Sequence, residues 1–173
     1  MASYTYLISS LPDLRTDGEM PLTYEEFLKC CESVVSERDY ALLESLTLGS
    51  QEGPLVKDWA GFYGMLKSEL NYQRSMLLGK SYPSAYDKDA AIAQVATAAV
   101  NAKNPLEAEK ILLDFEFENL DTLVGMHMFD DVVLFGYAIK LKLLERMNCF
   151  RKEKGNAEFQ RLFNEVQQRV YHL

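Results

Sequence analysis

Histidine is scarce in this chain of 173 residues, which has only His127 and His172. A Ser–His or Cys–His device needs a nucleophile, a base and a group that orients the base. Two histidines, one of them penultimate, leave little from which to build one. Neither follows a glutamate three residues earlier, as the carboxylate-bridged di-metal bundles require, and there is no His-Glu-x-x-His run. His127 has Asp130 and Asp131 nearby in sequence. Those two acids read better as favourable charges at the start of a following helix, with His127 in a loop. Cysteine is scarce too. Cys30, Cys31 and Cys149 contain no Cys-x-x-Cys and leave one over, which suggests reduced thiols rather than a disulfide framework.

Other absences exclude further classes. No glycine-rich phosphate loop occurs. Gly61-Phe-Tyr-Gly64 has the wrong spacing and falls in a helical pattern, where it predicts close approach by a neighbouring helix. No run approaches the ~18 consecutive apolar residues of a membrane span; the densest, Val132 to Ile139, is far too short. The opening Met1-Ala-Ser-Tyr-Thr-Tyr-Leu7 lacks a basic stretch and a long apolar one, so no signal peptide is expected there. A basic excess is also missing: 18 Lys and Arg stand against 26 Asp and Glu, for a net charge of −8 and a pI near 4.8. That balance argues against a nucleic-acid partner and against direct adhesion to an anionic membrane. The expectation is a cytoplasmic protein with no cofactor, no metal and no enzymatic activity.

What the chain does have is helical periodicity. Apolar content of 48% and charged content of 25% are ordinary for a globular protein. The length suits one domain, residues 1–173, with 80–86 the one place where it would divide. Thr23 with Glu26 forms a capping box, and Leu22 and Phe27 are placed as its hydrophobic staple, opening a helix to about Val35. Ser36 caps the next, with Tyr40, Leu43 and Leu46 or Leu42 inward. Trp59, Phe62, Tyr63, Leu66, Leu70 and Leu77 keep helical spacing up to Gly79, a natural residue to end on. Asp87 starts an alanine-rich helix through Ile92, Val95, Ala96 and Ala99. Asn104-Pro105-Leu-Glu107 starts another, with Ile111, Leu112 and Phe115 as its inner stripe. The alternation at Phe115 to Glu118 would suit a strand, but the surrounding pattern favours helix through about Val124. Tyr4 to Ile8 suits a short strand and a helical first turn equally.

One long helix is expected from Phe129 to Gly155. Its first half is apolar almost all round and its second half is charged, so it belongs at the centre of a bundle. Asn156 opens a last helix with Phe159, Leu162, Phe163, Val166 and Val170 inward. The fold class expected is all-α: an irregular bundle of about six to seven helices around one long central helix.

Two polar clusters interrupt these stripes: Glu69, Asn71 and Arg74, then Glu145, Arg146, Asn148 and Arg151. Helix-surface pairing at i,i+3 and i,i+4 explains most such groups. Partner binding is the functional alternative, and Tyr4 and Tyr6 join it as aromatic candidates, although most aromatics belong to a core. Glu116, Glu118 and Asp121 read as a solvated acidic face, and Lys140, Lys142, Glu145 and Arg146 as salt-bridged surface.

Tyr4-Thr-Tyr-Leu-Ile-Ser-Ser-Leu-Pro-Asp-Leu14 resembles the start of an uncharacterised bacterial family. Gly136-Tyr-Ala-Ile-Lys-Leu-Lys-Leu-Leu-Glu-Arg146, followed by Arg151-Lys-Glu-Lys-Gly155, is similar to that family's C-terminal signature. Members are usually encoded among the subunits of a V-type (A-type) rotary ATPase. They stand where the C subunit, called d in eukaryotes, would be expected, an all-helical socket between central stalk and membrane ring. The resemblance implies a non-catalytic accessory or coupling subunit, peripheral to the inner membrane through its partners. The chain is roughly half as long as a three-domain socket, so it would form only part of one. The rival from another class is a stand-alone helical ligand-binding protein or enzyme, whose pocket would gather Glu69, Arg74, Glu145 and Arg146. A homo-oligomeric scaffold is the third reading.

Overall fold

The structure is a computed structural model that describes residues 4–82, 89–150 and 161–162. Among them every regular element is an α-helix: α1 (Thr5–Ser10), α2 (Tyr24–Cys31), α3 (Glu37–Glu44), α4 (Val56–Leu77), α5 (Ala90–Val100), α6 (Pro105–Val124) and α7 (Asp131–Asn148). The expected all-α bundle is present. Arg151 to Gly155 and the helix expected from Asn156 lie outside the described residues, apart from residues 161–162.

The helix starts are set by side chains that the sequence exposes directly. Thr23 accepts from the Glu26 amide while Glu26 accepts from Thr23 N–H at 2.7 Å, closing the capping box of α2. Ser36 caps α3, and Asn104 caps α6 with Pro105 just inside. The α5 cap is Asp89, whose carboxylate takes the Ala91 and Ile92 amides; the expected start at Asp87 lies outside the described residues. At the other end of α4, Gly79 adopts φ +64°, donating to Met76 while Lys80 donates to Ser75. This paired closure satisfies carbonyls that would otherwise be orphaned, and its left-handed residue suits glycine. The ambiguous segment at Tyr4 is helical, and α6 continues unbroken through Phe115 to Glu118.

α4, α5 and α6 pack in succession, α6 lies along α7, and α2 and α3 cover another side of α7. α7 is thus enclosed from several directions. Leu134, Phe135, Ala138, Ile139, Leu141 and Leu143 are almost wholly buried. The helix starts two residues later than the sequence suggests and ends at Asn148, with Cys149 as its C-cap, short of the expected Gly155. Phe129 sits at φ +57° with its carbonyl accepting from Tyr4 N–H at 2.7 Å, and Asp130 caps the first turn through the Val133 amide. Two packing expectations need correction. Gly61 and Gly64 are exposed, and a Cβ at either would meet nothing within 4 Å. The glycine that permits close approach is Gly136, where a Cβ would come within 2.7 Å of Val124 Cγ2. Leu77, expected inward, is 66% exposed in the last turn of α4, two residues before Gly79.

Candidate functional site

α6 buries Glu109, Leu112, Leu113, Glu116, Phe117 and Leu120, a stripe at i, i+3, i+4, i+7, i+8 and i+11. Two of those six positions are therefore carboxylates on the inward face. The expected stripe of Ile111, Leu112 and Phe115 was rotated: Ile111 and Phe115 are only half-buried. Glu116 is 1% exposed, so it belongs to the core and not to a solvated acidic face. Burying an ionised carboxylate is tolerable only with a counter-ion and satisfied lone pairs.

Arg146 supplies both. Its guanidinium meets Glu116 as a two-pronged fork, Nη1 to Oε1 at 3.0 Å and Nη2 to Oε2 at 2.5 Å, while Nε donates to Glu109. The planar donor set of arginine matches a carboxylate in this way and lysine cannot. Burial pushes the Glu116 carboxyl above the ordinary range, and the hydrogen bonds and charge of Arg146 offset only part of that. Burial alone would depress Arg146, but its bonds to Glu116 and the nearby Glu109 outweigh it, so it stays firmly charged. Two carboxylates facing one cation form a structural clamp between α6 and α7.

The remaining sequence candidates disperse. Tyr4 is buried, its hydroxyl donating to Asp39 Oδ2 at 3.1 Å, whereas Tyr6 is 86% exposed. Glu69 is buried and accepts from Gln73 Nε2 at 2.8 Å. Asn71 and Arg74 are exposed. Glu145 turns away from Arg146 to Lys142, at 3.3 Å, and to the Tyr24 amide. Asn148 is half-buried and points its amide at Met20 sulfur, 3.7 Å away. Lys140 reaches Asp121 at 2.6 Å. Arg151 lies outside the described residues. His127 lies in the loop before α7, its Nδ1 2.6 Å from Asp130 Oδ2. Burial pushes the Cys31 thiol up to about 12, with Cys30 adding to it, which makes that sulfur a poor nucleophile.

One concavity stands out. A groove of about 580 Å³ lies where the ends of α4 and α5 meet the start of α6. Val100, Ala108 and Leu112 line it, Phe150 and Leu78 flank it, and Arg74, Lys103 and Glu109 are its charged groups. Of the four groups that a bundle pocket was expected to gather, only Arg74 lines this groove. Sequence reasoning missed Glu109 and Lys103. The signal for Glu109 was its register with Leu112, Leu113 and Glu116. Comparison with protein-family models, curated proteins and solved structures finds no match.

Proposed function

We propose that this chain is a non-catalytic accessory or coupling subunit of a V-type (A-type) rotary ATPase, similar in role to the C/d subunit. Its partners would be the central stalk and the proteins of the membrane ring, reached from the cytoplasmic side without insertion into the bilayer. The reading draws on the resemblance, and one observation carries it. The two segments that bear the resemblance are far apart in sequence, yet residues 136–146 of the second touch the first. Tyr137 O–H, in the second segment, donates to Pro12 C=O in the first at 2.9 Å.

A further feature supports it. A part that transmits force needs rigidity rather than a reactive group, and the buried Arg146 clamp locks α6 against α7 in one register. Among the described residues no helix is long and apolar enough to cross a membrane. The test is affinity purification of the tagged chain from cross-linked native membranes, with the retained proteins identified by mass spectrometry. ATPase stalk and ring subunits are the expected outcome. Their absence overturns the proposal.

A further inference from the structure

We propose that the groove between the ends of α4 and α5 and the start of α6 is a docking site for a partner's amphipathic helix, one whose apolar stripe is flanked by carboxylates. That the partner is a subunit of the ATPase rests on the function proposed above; the chemistry of the groove does not.

Three observations lead here. The floor is apolar and cut from small side chains, with Ala99, Val100 and Ala108 leaving depth for larger ones to enter. The rim is apolar where a monomer should be polar: Leu77 and Leu78 are 66% and 70% exposed, on a helix that Gly79 closes just beyond them. Adjoining exposed apolar residues around a concavity mark interaction sites more often than chance. The charge is also of the unexpected sign. The chain carries −8 overall, yet Arg74 and Lys103 line this groove and neither side chain makes an ion pair with another described residue. The acid there, Glu109, already faces Arg146. The amino end of α6, capped at Asn104, adds a partial positive charge beside them.

Shape then selects the occupant. The volume falls within the range of small-ligand pockets, but such pockets enclose most of their ligand, whereas this ridge leaves Leu77 and Leu78 open to solvent. An open apolar trough with a charged edge fits the helix-in-groove mode, in which side chains at i, i+3, i+4 and i+7 enter and the flanks set orientation. Cations at the edge select carboxylates on the incoming helix and steer its approach.

The probe is a fluorescein-labelled synthetic helix with leucines at i, i+3, i+4 and i+7 flanked by glutamates, beside a twin with lysines in place of the glutamates. Fluorescence anisotropy against the full chain should show the acidic peptide binding about tenfold more tightly, with the gap closing at high salt. Arg74→Glu with Lys103→Glu should reverse the preference. Leu77→Asp with Leu78→Asp should weaken binding about tenfold and lower the thermal melt only slightly, since both residues are already exposed and the one cost is two acids at the carboxyl end of α4. Equal binding of the twins, no binding, or indifference to the Leu77 and Leu78 changes overturns the proposal. So does stronger displacement by a peptide of residues 156–173, which would make the chain's own tail the occupant, or a dimer that Leu78→Asp dissolves. Native-membrane purification separates the two ideas. Retention of ATPase subunits by the Leu77 and Leu78 variant removes the groove and spares the subunit reading. If the wild-type chain retains none while the peptide still binds, only the subunit reading falls.

Discussion

α7 is fixed in place by different means at its two ends. From Leu134 to Leu143 it is enclosed by apolar side chains, and its position follows from shape: Gly136 against Val124, Phe135 and Ile139 filling the interior. One turn later Arg146 reaches Glu109 and Glu116, and position follows from charge. Apolar packing tolerates small slides, because one methyl resembles another. A bidentate guanidinium does not, because a shift along the helix unpairs a buried carboxylate. The dry half therefore supplies most of the attraction and the charged end supplies the register.

The sharpest way to break this comparison is Arg146→Met. It strands Glu116 and Glu109 without a counter-ion, and loss of one partner of a buried ion pair costs about 3–5 kcal/mol. Leu141→Ala in the dry half costs a similar amount, about 2–5 kcal/mol, by opening a cavity. pH separates the two. The folded-state pKa of Glu116 is raised by burial, and more so without Arg146, so the penalty is full at neutral pH and relieved as pH falls through the folded value. Urea midpoints measured from pH 7 to pH 4 should converge on wild type for Arg146→Met and stay parallel to it for Leu141→Ala. Parallel curves for both would show that the charged end is held by packing after all.

Gly136→Ala comes next. The added methyl would sit 2.7 Å from Val124 Cγ2, a branched side chain with little freedom to retreat. Overpacking of this kind costs about 1–3 kcal/mol, against a gain of about 1 kcal/mol in helix propensity. A net destabilisation is expected, and Val124→Ala in the same chain should restore stability. The matching change Gly61→Ala meets only open space and should stabilise slightly.

Asp130→Ala removes the cap of α7 and should cost about 1 kcal/mol in the thermal or urea melt. Burial would raise this carboxyl, but bonds from His127 and the Val133 amide, with the charge of His127, hold it below the ordinary range. A depressed pKa gives stability that is present above the unfolded value and lost as pH falls through the folded one. Asp130→Asn keeps a capping oxygen without the charge, so its deficit relative to wild type should fade toward pH 3. A deficit that stays constant would show the charge to be irrelevant.

How much of this was legible in the sequence follows from range. Caps and stops were, since Thr23 with Glu26, Asn104 with Pro105, and Gly79 each act within a turn. So was the burial of α7, whose apolar girth admits no solvent face. The clamp was not, because Arg146 stands 30 and 37 residues from its partners and neither helix alone says which way a charge points. Glu116 looked solvated beside Glu118 and Asp121 until its register with Leu112, Leu113 and Leu120 was set by packing. Gly61 and Gly64 misled for the same reason: spacing marks a face without saying whether another helix covers it. The groove was beyond reach altogether, being built from three helix ends that only the tertiary fold brings together.

The smallest expected effect bears on the joint between the two resembling segments. Tyr137→Phe deletes the hydroxyl that donates to Pro12 C=O and leaves the ring, which packs 5.5 Å from Phe27. Loss of one partly solvated hydrogen bond costs about 0.5–1 kcal/mol, within reach of careful urea titration. The local consequence is the more telling one. If this bond holds the loop after α1 to α7, amide exchange at Leu11, whose N–H donates to Ile8 C=O, should quicken while that of Leu141 and Leu143 in the dry half does not. Uniform quickening along α7 would mean that the N-terminal segment and the long helix melt together, and that the division of α7 into a packed half and a steered end is too fine.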